Sequence, residues 1–523
     1  ISGFLLKSLI GNINKSSKSK ALFSLNDTSY AVEFAVKLIS AGWEVVGSNE
    51  TVEILTAENI SVIDIADFTE VKGDFGFPPS LHPKIEFALT DDCENRIDLV
   101  YILTYPLSDG SDVGGHTILA LAAKGRRIPV MNNKDMEVVV KEIVKNRIVS
   151  QALRNECISK ANYVNAKHYA NIISNQDNYE MLLGIKSYNL LNGENPYQVP
   201  ASAFTSEHND SLSLLNLTKI SGEEPCFTNI ANADCILQTL CLSVEAFQLN
   251  IRRVPYICIA AKHGNACGMG ISFVSPEFAI KIALWGNPRS IWGGEVITNF
   301  LIDKNLAGIL LKSSKRKEHF DSAFWMLDLI IAPSFSSDAI SILGTRKKRK
   351  LFENGALTNP SIGASKNTLR MIRGGFLRQP STNYILNLKE CSNINVNNFT
   401  DNKIVSIIIA WVIAFTSNHG GNEVVIAKDN SLLGAGGGPS TLEAASIAIK
   451  RARECGHNCA NATFAADAFF PFDDAPKILI QAGCTEGIVP SGGKMFKDIK
   501  KYFADNNIAC GFIPEKYRGF CRH

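Results

Sequence analysis

The residue pair Lys262-His263 follows an almost wholly apolar stretch, residues 256–261, and precedes a short loop that contains glycine and asparagine. Ligands of α/β proteins usually bind where the strands of the sheet end. A histidine at such a place can act as a general base near neutral pH. The ammonium group of the adjacent lysine would lower the pKa of that histidine and would hold an anion. The alternative, a solvated turn with incidental charges, fits the spacing equally well.

A second candidate site lies in residues 422–454, where an apolar strand leads into GAGGGP and then into a predicted helix. Ser440 and Glu443 have the spacing of a capping box, and the backbone N–H groups at a helix start favour an anion. The glycines of this segment fit the dinucleotide-binding fingerprint poorly. A tight structural turn is therefore the alternative to an anion or cofactor site.

A third candidate site is AADAFFPFDDAP, residues 465–476, in which phenylalanines and prolines stand beside aspartates. A stiff apolar wall with carboxylates at its edge would suit a planar heteroaromatic ligand, which needs both stacking and polar anchoring. A core strand followed by a capped helix explains the same residues without a ligand.

Composition limits the class of protein. The chain of 523 residues is 46% hydrophobic and 20% charged, so large packed cores are expected. Its 53 basic and 51 acidic residues leave a net charge of +2, which argues against a nucleic-acid-binding protein. The 13 cysteines include no C-x-x-C pair, so free thiols in a reducing compartment are expected. A metal shared by Cys455, His457 and Cys459 is the alternative, and we predict no metal site.

Strand and helix patterns alternate from residue 20 onwards, which predicts a parallel sheet covered on both faces. In this first region we predict a helix over residues 28–42, capped by Asp27 or Thr28, and strands at residues 43–48, 60–68, 96–105 and 127–131. The loop at residues 192–200 marks a domain boundary. Beyond it a second α/β region is predicted, with strands at residues 256–261, 327–333 and 422–427 and helices at residues 441–454 and 494–506.

Two further segments bear on location. The most apolar window, residues 404–415, has 12 residues, whereas a bilayer needs about 20; we therefore predict a core element and no membrane span. Residues 1–19 are rich in lysine and serine. They are interpreted as a disordered basic extension or, alternatively, as the remnant of a transit peptide.

The three candidate sites occur together and in order in one family. The chain resembles the bifunctional AICAR transformylase/IMP cyclohydrolase of purine biosynthesis over residues 20–523. The landmarks that carry the resemblance are SLHP from Ser80, YP from Tyr105, GENPYQ from Gly193, KHGNACG from Lys262, IIAPSFS from Ile330, AKD from Ala427, DAFFPF from Asp467 and R-x-F from Arg518.

The resemblance implies an α/β fold: an N-terminal Rossmann-like (methylglyoxal-synthase-like) parallel-sheet domain, followed by two cytidine-deaminase-like α/β/α lobes. The implied boundaries are a basic extension at residues 1–19, a cyclohydrolase-like domain at 20–195, and transformylase lobes at 196–365 and 366–523. It also implies a homodimer with active sites at the interface. The implied cosubstrate is 10-formyltetrahydrofolate, the substrate is AICAR, and no metal takes part.

The resemblance also assigns roles to residues. Lys262 and His263 would be the catalytic pair: His263 would take the proton from the attacking amine, and Lys262 would stabilise developing negative charge. Asn422 would orient the reacting groups. The expected substrate-binding residues are Asn229, Gly293, Gly294, Asp328, Phe469, Pro471, Phe472, Asp474 and Arg518, of which Arg518 would hold the nucleotide phosphate.

The sequence departs from the family pattern in the transformylase half. The family's R-Y-G-E-N begins here with Leu191 and Asn192, and its Q-x-S-R reads as residues 439–442, Pro-Ser-Thr-Leu, so Thr441 replaces a polar family residue and two arginines are missing. Each lost arginine contact removes roughly 1.5–3 kcal/mol. Together the two losses would weaken nucleotide binding by about two to four orders of magnitude unless other residues compensate.

The cyclohydrolase half departs further. Glu50 lies in the segment that forms the family's phosphate turn, and Pro79 replaces a lysine; a carboxylate beside a phosphate is repulsive. The family residues that persist are Asp27, His82, Tyr105, Asp112, Gly114, Gly115 and Lys124.

Three hypotheses stay open at this point: a working transformylase with a weakened or inactive cyclohydrolase, the ordinary bifunctional enzyme with compensating residues, and a catalytically inactive relative that serves as a structural or interaction subunit of a larger assembly. The expected partners are AICAR and folate, with no nucleic acid and no membrane. The expected location is the cytoplasm, with mitochondria as the alternative.

Overall fold

A computed structural model describes residues 18–71, 81–105, 113–173, 178–206, 210–363, 367–382, 384–394 and 399–517. The chain divides into two compact units, Ile1–Leu183 and Gly184–His523. The basic extension at residues 1–19 therefore lies almost wholly outside the described residues.

The first unit contains a five-stranded sheet in the order β3-β2-β1-β4-β5, and every pair in it is parallel. Its strands are β1 (Lys20–Leu25), β2 (Glu44–Gly47), β3 (Ile63–Asp64), β4 (Ile97–Leu103) and β5 (Ile128–Val130). Its helices are α1 (Ala31–Ser40), α2 (Asn49–Ala57), α3 (Ile65–Thr69), α4 (Pro83–Thr90), α5 (Val113–Lys124), α6 (Asn133–Asn146) and α7 (Gln151–Ile173). The predicted parallel sheet is confirmed.

Two local predictions in this unit are wrong. The strand predicted at residues 60–68 ends after Asp64, because the Asp64 carboxylate accepts a hydrogen bond from Ala66 N at 2.8 Å and so caps α3. The helix α1 is preceded by Tyr30 as its N-cap, without a side-chain cap. Asp27, which was predicted to cap α1, instead accepts the backbone N–H of Ser29 at 3.0 Å.

The second unit is also α/β, as predicted. Its strands are β6 (Ile185–Leu190), β7 (Ala201–Thr205), β8 (Thr218–Ser221), β9 (Tyr256–Lys262), β10 (Asn265–Ser272), β11 (Glu295–Thr298), β12 (Leu329–Ala332), β13 (Lys350–Glu353), β14 (Asn367–Ile372), β15 (Gly375–Pro380), β16 (Asn422–Lys428), β17 (Ser431–Gly438), β18 (Ala462–Ala466), β19 (Cys484–Pro490) and β20 (Ala509–Ile513). Its helices are α8 (Phe227–Ile251), α9 (Pro276–Gly286), α10 (Lys304–Leu311), α11 (Ser314–His319), α12 (Ser337–Leu343), α13 (Asp401–Thr416), α14 (Thr441–Glu454), α15 (Asp474–Gln481) and α16 (Phe496–Asp505).

Eleven of these strands form one sheet, in the order β20-β19-β18-β16-β17-β10-β9-β11-β12-β13-β8. The segments β9 to β13 and β16 to β20 repeat one topology: an antiparallel hairpin, a third strand antiparallel to the first, and two further parallel strands. The halves join where β10 pairs with β17, Gly270 opposite Ser431. Their likeness to cytidine deaminases stays a prediction.

One core of this unit lies between the sheet and the helices α8 and α13, and two further hydrophobic clusters lie between the other face of the sheet and the helices α9, α10, α12, α14, α15 and α16. Every residue of α13 from Ile404 to Thr416 is buried, which confirms the apolar window as a core element. Within the described part of the chain, α8 is the single helix whose length and hydropathy would suffice to cross a membrane, and 61% of its most apolar window is buried inside the unit. Core helices commonly meet these criteria, so α8 is weak evidence for a membrane span.

The segment GAGGGP was expected to form a tight turn or a loop at a helix start. Its glycines belong instead to the buried strand β17. A Cβ atom at Gly434 would lie 2.4 Å from Ala448 O, and one at Gly436 would lie 2.3 Å from Ala444 O. Both oxygens belong to the backbone of α14, so the glycines let the helix pack directly on the strand. Ser440 caps α14 as predicted, since its hydroxyl accepts Glu443 N at 3.2 Å.

Candidate functional site

The Lys262-His263 pair lies at the end of the buried strand β9, as the sequence predicts. The hairpin to β10 turns through His263 and Gly264, whose φ angles are +53° and +73°. Two successive residues with positive φ are typical of a two-residue hairpin turn. The His263 side chain is exposed at the tip of this turn, whereas Lys262 is half-buried.

The Lys262 ammonium group is held at the base of the turn. Its Nζ donates a hydrogen bond to Gly293 O at 2.6 Å. Gly293 has a φ of +68°, and a Cβ atom there would lie 3.0 Å from Lys262 Nζ. A Cβ atom at Gly294 would lie 2.4 Å from Ala261 O. The two glycines predicted to bind substrate are therefore explained by the close approach of their loop to β9.

Asp328 lies next to the same glycine loop. Its backbone N–H donates to Gly294 O at 2.9 Å, and its carboxylate forms an ion pair with Arg346 at 3.1 Å. The structure thus brings Lys262, Gly293, Gly294 and Asp328 together at one edge of the sheet, where β9 ends and β11 and β12 begin. This carboxylate has a cationic partner already.

A loop of the second half of the sheet reaches the same edge. The Asn265 side chain accepts from Asn418 N at 2.7 Å, and Asn418 lies four residues before Asn422, the first residue of β16. The Asn422 amide donates to Pro439 O at 3.2 Å. In the same loop His419 pairs through Nδ1 with the buried Glu423 at 2.7 Å.

A cavity of ≈240 Å³ lies beside the β9–β10 turn and β17, and its polar lining includes Lys262, His263, His419 and Arg451. All four side chains are basic, so the cavity favours an anion or a developing negative charge. Its lining residues do not include Gly293, Gly294, Asp328 or Asn422. The Arg451 guanidinium also donates to Ala435 O at 2.6 Å. Sequence analysis missed His419 and Arg451, although Arg451 stands on the predicted helix α14, because nothing local points either side chain at this edge.

Asn229 lies at the start of α8, near this edge, and its side chain hydrogen-bonds within the N-terminal cap of that helix. Its side-chain oxygen accepts Cys226 N at 3.1 Å and closes a capping box. One helical turn further on, Asn232 donates to Glu295 Oε1 at 2.8 Å. Asn229 and Asn232 share a helix face because residues three apart do so.

Glu295 is a buried carboxylate beside this site that sequence analysis missed. It begins β11 opposite Ala261, the neighbour of Lys262, and its side chain is only 3% exposed. Burial raises the pKa of Glu295 to about 7, against the lowering effects of the Asn232 hydrogen bond and the Lys262 charge. A charged residue that opens the strand EVIT straight after two glycines is the signal that could have revealed it.

The predicted aromatic wall is divided between core and surface. Phe470 is buried in the core, whereas Phe472 is 63% exposed and Pro471 is exposed as well. Phe469 packs on Gly493, where a Cβ atom would lie 2.6 Å from its ring. Asp474 accepts Ala475 N at 2.8 Å at the start of α15.

The segment that carries these residues is tied to the rest of the site through Asp467. This buried residue exchanges backbone and side-chain hydrogen bonds with Glu423: Asp467 N donates to Glu423 O at 3.1 Å, and Glu423 N donates to Asp467 Oδ1 at 2.9 Å. Glu423 in turn pairs with His419, which lines the cavity.

In the first unit, two of the persisting family residues follow the C-terminal ends of parallel strands, and the other described ones cap or lie in helices. Asp27 follows β1, and hydrogen bonds from Ser29 lower its pKa. The His82 ring caps α4 by accepting Lys84 N at 3.2 Å. Tyr105 follows β4 and is half exposed. Gly114 and Gly115 are buried in the first turn of α5, and Lys124 is exposed at its last residue.

Asp112, Arg518 and Pro79 lie outside the described residues. Leu191 is 56% exposed, and its backbone N–H donates to Pro225 O at 3.0 Å. Glu50 is exposed in the first turn of α2. Among the described residues no group of three or more metal-ligating side chains could hold a metal ion.

Fold and site together define a two-unit α/β protein, with a parallel sheet in the first unit and a basic cavity at one edge of the long sheet in the second. The sequence matches the family described as "AICARFT/IMPCHase bienzyme" over residues 123–451. The chain therefore belongs to this family of bifunctional purine-biosynthesis enzymes.

Curated relatives extend the match to nearly the whole chain. The "Bifunctional purine biosynthesis protein PurH" of Caldicellulosiruptor bescii is 27% identical over 95% of this chain and 99% of its own length. The proteins of the same name from Persephonella marina and Bacillus cereus (strain AH187) are 26% and 28% identical over 95% and 96% of this chain, and each is covered over 99% of its length. A solved structure described as "Crystal structure of ForH" is 22% identical over 30% of this chain and 97% of its own, with a TM-score of 0.26.

Proposed function

We propose that this chain transfers the formyl group of 10-formyltetrahydrofolate to the 5-amino group of AICAR, and that its cyclohydrolase half is weakened or inactive. The observation that carries the proposal is the open cavity of ≈240 Å³ beside Lys262 and His263. Formyl transfer needs a nucleotide next to this pair, and a site filled by apolar side chains would have excluded it.

The cavity is small for the complete pair of substrates, since sites for drug-sized ligands usually measure about 300–1,000 Å³. It suits the reacting groups, while the rest of each substrate would lie outside it. The proposal therefore includes the homodimer that the resemblance implies, in which a second copy supplies further contacts. The basic lining at His419 and Arg451 would then offset part of the loss at Leu191.

In the proposed reaction the AICAR amine attacks the formyl carbon, and the carbonyl oxygen gains negative charge. The bond between the formyl carbon and N10 of the folate then breaks, and tetrahydrofolate leaves with a proton on N10. His263 is exposed at the tip of the turn and would take the proton that the amine loses. The Lys262 ammonium donates to Gly293 O at 2.6 Å and has further N–H groups that would stabilise the oxyanion. Asn422, the first residue of β16, would orient the amine.

The remaining roles are proposed from the resemblance. Phe469, Pro471, Phe472 and Asp474 would line the folate and base pocket, and the exposure of Pro471 and Phe472 leaves these side chains available for stacking. The other expected contacts to the nucleotide are Asn229, Gly293, Gly294, Asp328 and Arg518. No metal is proposed for the reaction.

The test is a formyl-transfer assay with purified full-length chain, AICAR and 10-formyltetrahydrofolate. We expect turnover by the unchanged protein and its loss in His263→Ala. The control is His319→Ala, since His319 is an exposed histidine on α11; this variant should keep full activity. Undiminished turnover in His263→Ala would remove His263 from the mechanism. No turnover by the unchanged protein, together with no AICAR binding by calorimetry, would favour a structural subunit instead.

The second half of the proposal has its own assay, because ring closure of FAICAR to IMP can be followed without folate. We expect little or no closure, since Glu50 stands exposed in the first turn of α2, where the family has its phosphate turn. Efficient formation of IMP by the full chain would show that the cyclohydrolase half is intact and would refute this part.

A further inference from the structure

Glu295 is a buried acidic residue beside Lys262, and one of its carboxylate oxygens has no hydrogen-bond partner. Its Oε1 accepts a hydrogen bond from Asn232, but its Oε2 is buried without a hydrogen-bond partner. A buried acceptor without a partner carries a large desolvation penalty, and an ionised carboxylate in this state carries a larger one.

The fold does not require a carboxylate at this place. The repeated topology gives β11 a counterpart in β18, where Thr463 pairs with Ala427, next to Lys428, just as Glu295 pairs with Ala261, next to Lys262. The same position of the sheet is therefore built with a threonine in the other half. Glu295 needs an explanation beyond packing.

Glu295 is linked to Lys262 through the glycine loop that precedes it. Lys262 Nζ rests on Gly293 O, and Gly293 lies two residues before Glu295. The charge of Lys262 lowers the pKa of Glu295, whereas burial and Asp328 raise it. The charge of the ammonium group therefore acts on the ionisation of the carboxyl group.

The other groups around Glu295 are neutral or already paired. Asp328 forms an ion pair with Arg346 at 3.1 Å. From β10, Cys267 has a thiol whose pKa burial raises to about 12, so it stays protonated near neutral pH. From α8, Asn232 is uncharged. Among the described residues, Lys262 is thus the cation near Glu295 whose ammonium group donates to a backbone oxygen and forms no ion pair with a carboxylate.

We propose that Glu295 is a positioning residue for Lys262. When Glu295 is protonated, the ammonium group of Lys262 stays on Gly293 O and is available to the reaction. When Glu295 is ionised, its carboxylate attracts the ammonium group inward and offsets its positive charge. Formyl transfer is then highest when Glu295 is protonated and declines as Glu295 ionises above neutral pH. This inference rests on the proposed function of Lys262 in the transfer.

The first test does not depend on turnover. Competitive acylation of the Lys262 amine, read by mass spectrometry from pH 6 to pH 10, is compared in the unchanged protein and in Glu295→Gln, which retains an oxygen for Asn232. An ionised neighbour raises the pKa of a lysine, so Lys262 should react roughly three- to tenfold faster in Glu295→Gln at pH 8 to 9. Identical reactivity profiles would overturn the proposal.

The second test is the pH profile of kcat for formyl transfer. The kcat of the unchanged protein should decline above about pH 7. Glu295→Gln should show no such decline, whereas Glu295→Asp should still show one. Glu486→Gln is the matched control, because Glu486 is also buried at a strand but pairs with Lys403; it should leave both readouts unchanged. An alkaline limb that persists in Glu295→Gln would refute the inference and leave the proposed function standing. Absent turnover would refute the proposed function, and the acylation result would still decide the protonation of Glu295.

Discussion

Replacement of Glu295 by glutamine should stabilise the protein, and the gain should grow with pH. Burial raises the pKa of this carboxyl from 4.5 to about 7. Between these two values the unfolded chain releases a proton that the folded protein retains, so the folded state of the unchanged protein loses stability as pH rises. Each pKa unit corresponds to about 1.4 kcal/mol, which gives a total of about 3 kcal/mol once pH exceeds 7.

The assay is urea unfolding of the unchanged protein and of Glu295→Gln at pH 5 and at pH 8. The variant should be more stable by less than about 1 kcal/mol at pH 5 and by about 3 kcal/mol at pH 8. Because groups remote from Glu295 titrate equally in both proteins, the difference between them reports Glu295 together with its effect on Lys262. Glutamine keeps the hydrogen bond from Asn232, so no contact is lost.

For the control variant Glu486→Gln we expect a change in stability of the opposite sign. Glu486 pairs with Lys403, whose side chain is 46% exposed, so Glu486→Gln should destabilise the protein at pH 8 by about 1–3 kcal/mol. The reasoning is refuted if the stability difference between Glu295→Gln and the unchanged protein is the same at pH 5 and at pH 8. It is also refuted if Glu295→Gln is the less stable protein at pH 8.

Two further pairs of substitutions test the packing of α14 on β17 and the aromatic segment. Gly436→Ala should destabilise the protein by roughly 1–3 kcal/mol, measured by urea unfolding, because its Cβ would lie 2.3 Å from a backbone oxygen of α14; Gly308→Ala in α10, with nothing within 4 Å of its Cβ, should instead stabilise it by about 0.5–1 kcal/mol. Phe470→Ala should lower stability by about 3–5 kcal/mol, whereas Phe472→Ala should leave stability nearly unchanged and raise KM for the folate. A stable Gly436→Ala would contradict the helix contact, and an unchanged KM in Phe472→Ala would remove Phe472 from the folate pocket.

The sequence predicted most of the elements, and its failures have local physical causes. Strands such as residues 96–105 were visible because an unbroken apolar run fits a strand buried on both faces. GAGGGP was misjudged because glycines signal a turn, yet the same absence of Cβ allows a strand to lie directly under a helix. The strand at residues 60–68 was overextended because its apolar pattern continues into α3, and only the cap at Asp64 separates the two.

For the site, the sequence predicted the residues that lie in one turn and missed those that only the tertiary fold brings near. Lys262 and His263 are adjacent in the chain, so their place at a strand end could be predicted. His419 and Arg451 reach the cavity because the two halves of the sheet join through β10 and β17. Glu295 was missed because a glutamate at a strand start is ordinary until its burial is known.

The repeated topology explains why chemistry is expected at one hairpin and not at its counterpart. The turn that ends β16 has the backbone of the turn that ends β9, since Asp429 and Asn430 have φ angles of +46° and +67°. The position of His263 is there occupied by Asp429 and not by a histidine. Lys428 donates to Ala460 O at 2.8 Å, and no buried carboxylate stands at the position of Glu295. The two hairpins thus share a backbone conformation and a lysine at the end of the first strand. The histidine and the buried glutamate distinguish the hairpin of β9 and β10, which is proposed to react, from its counterpart.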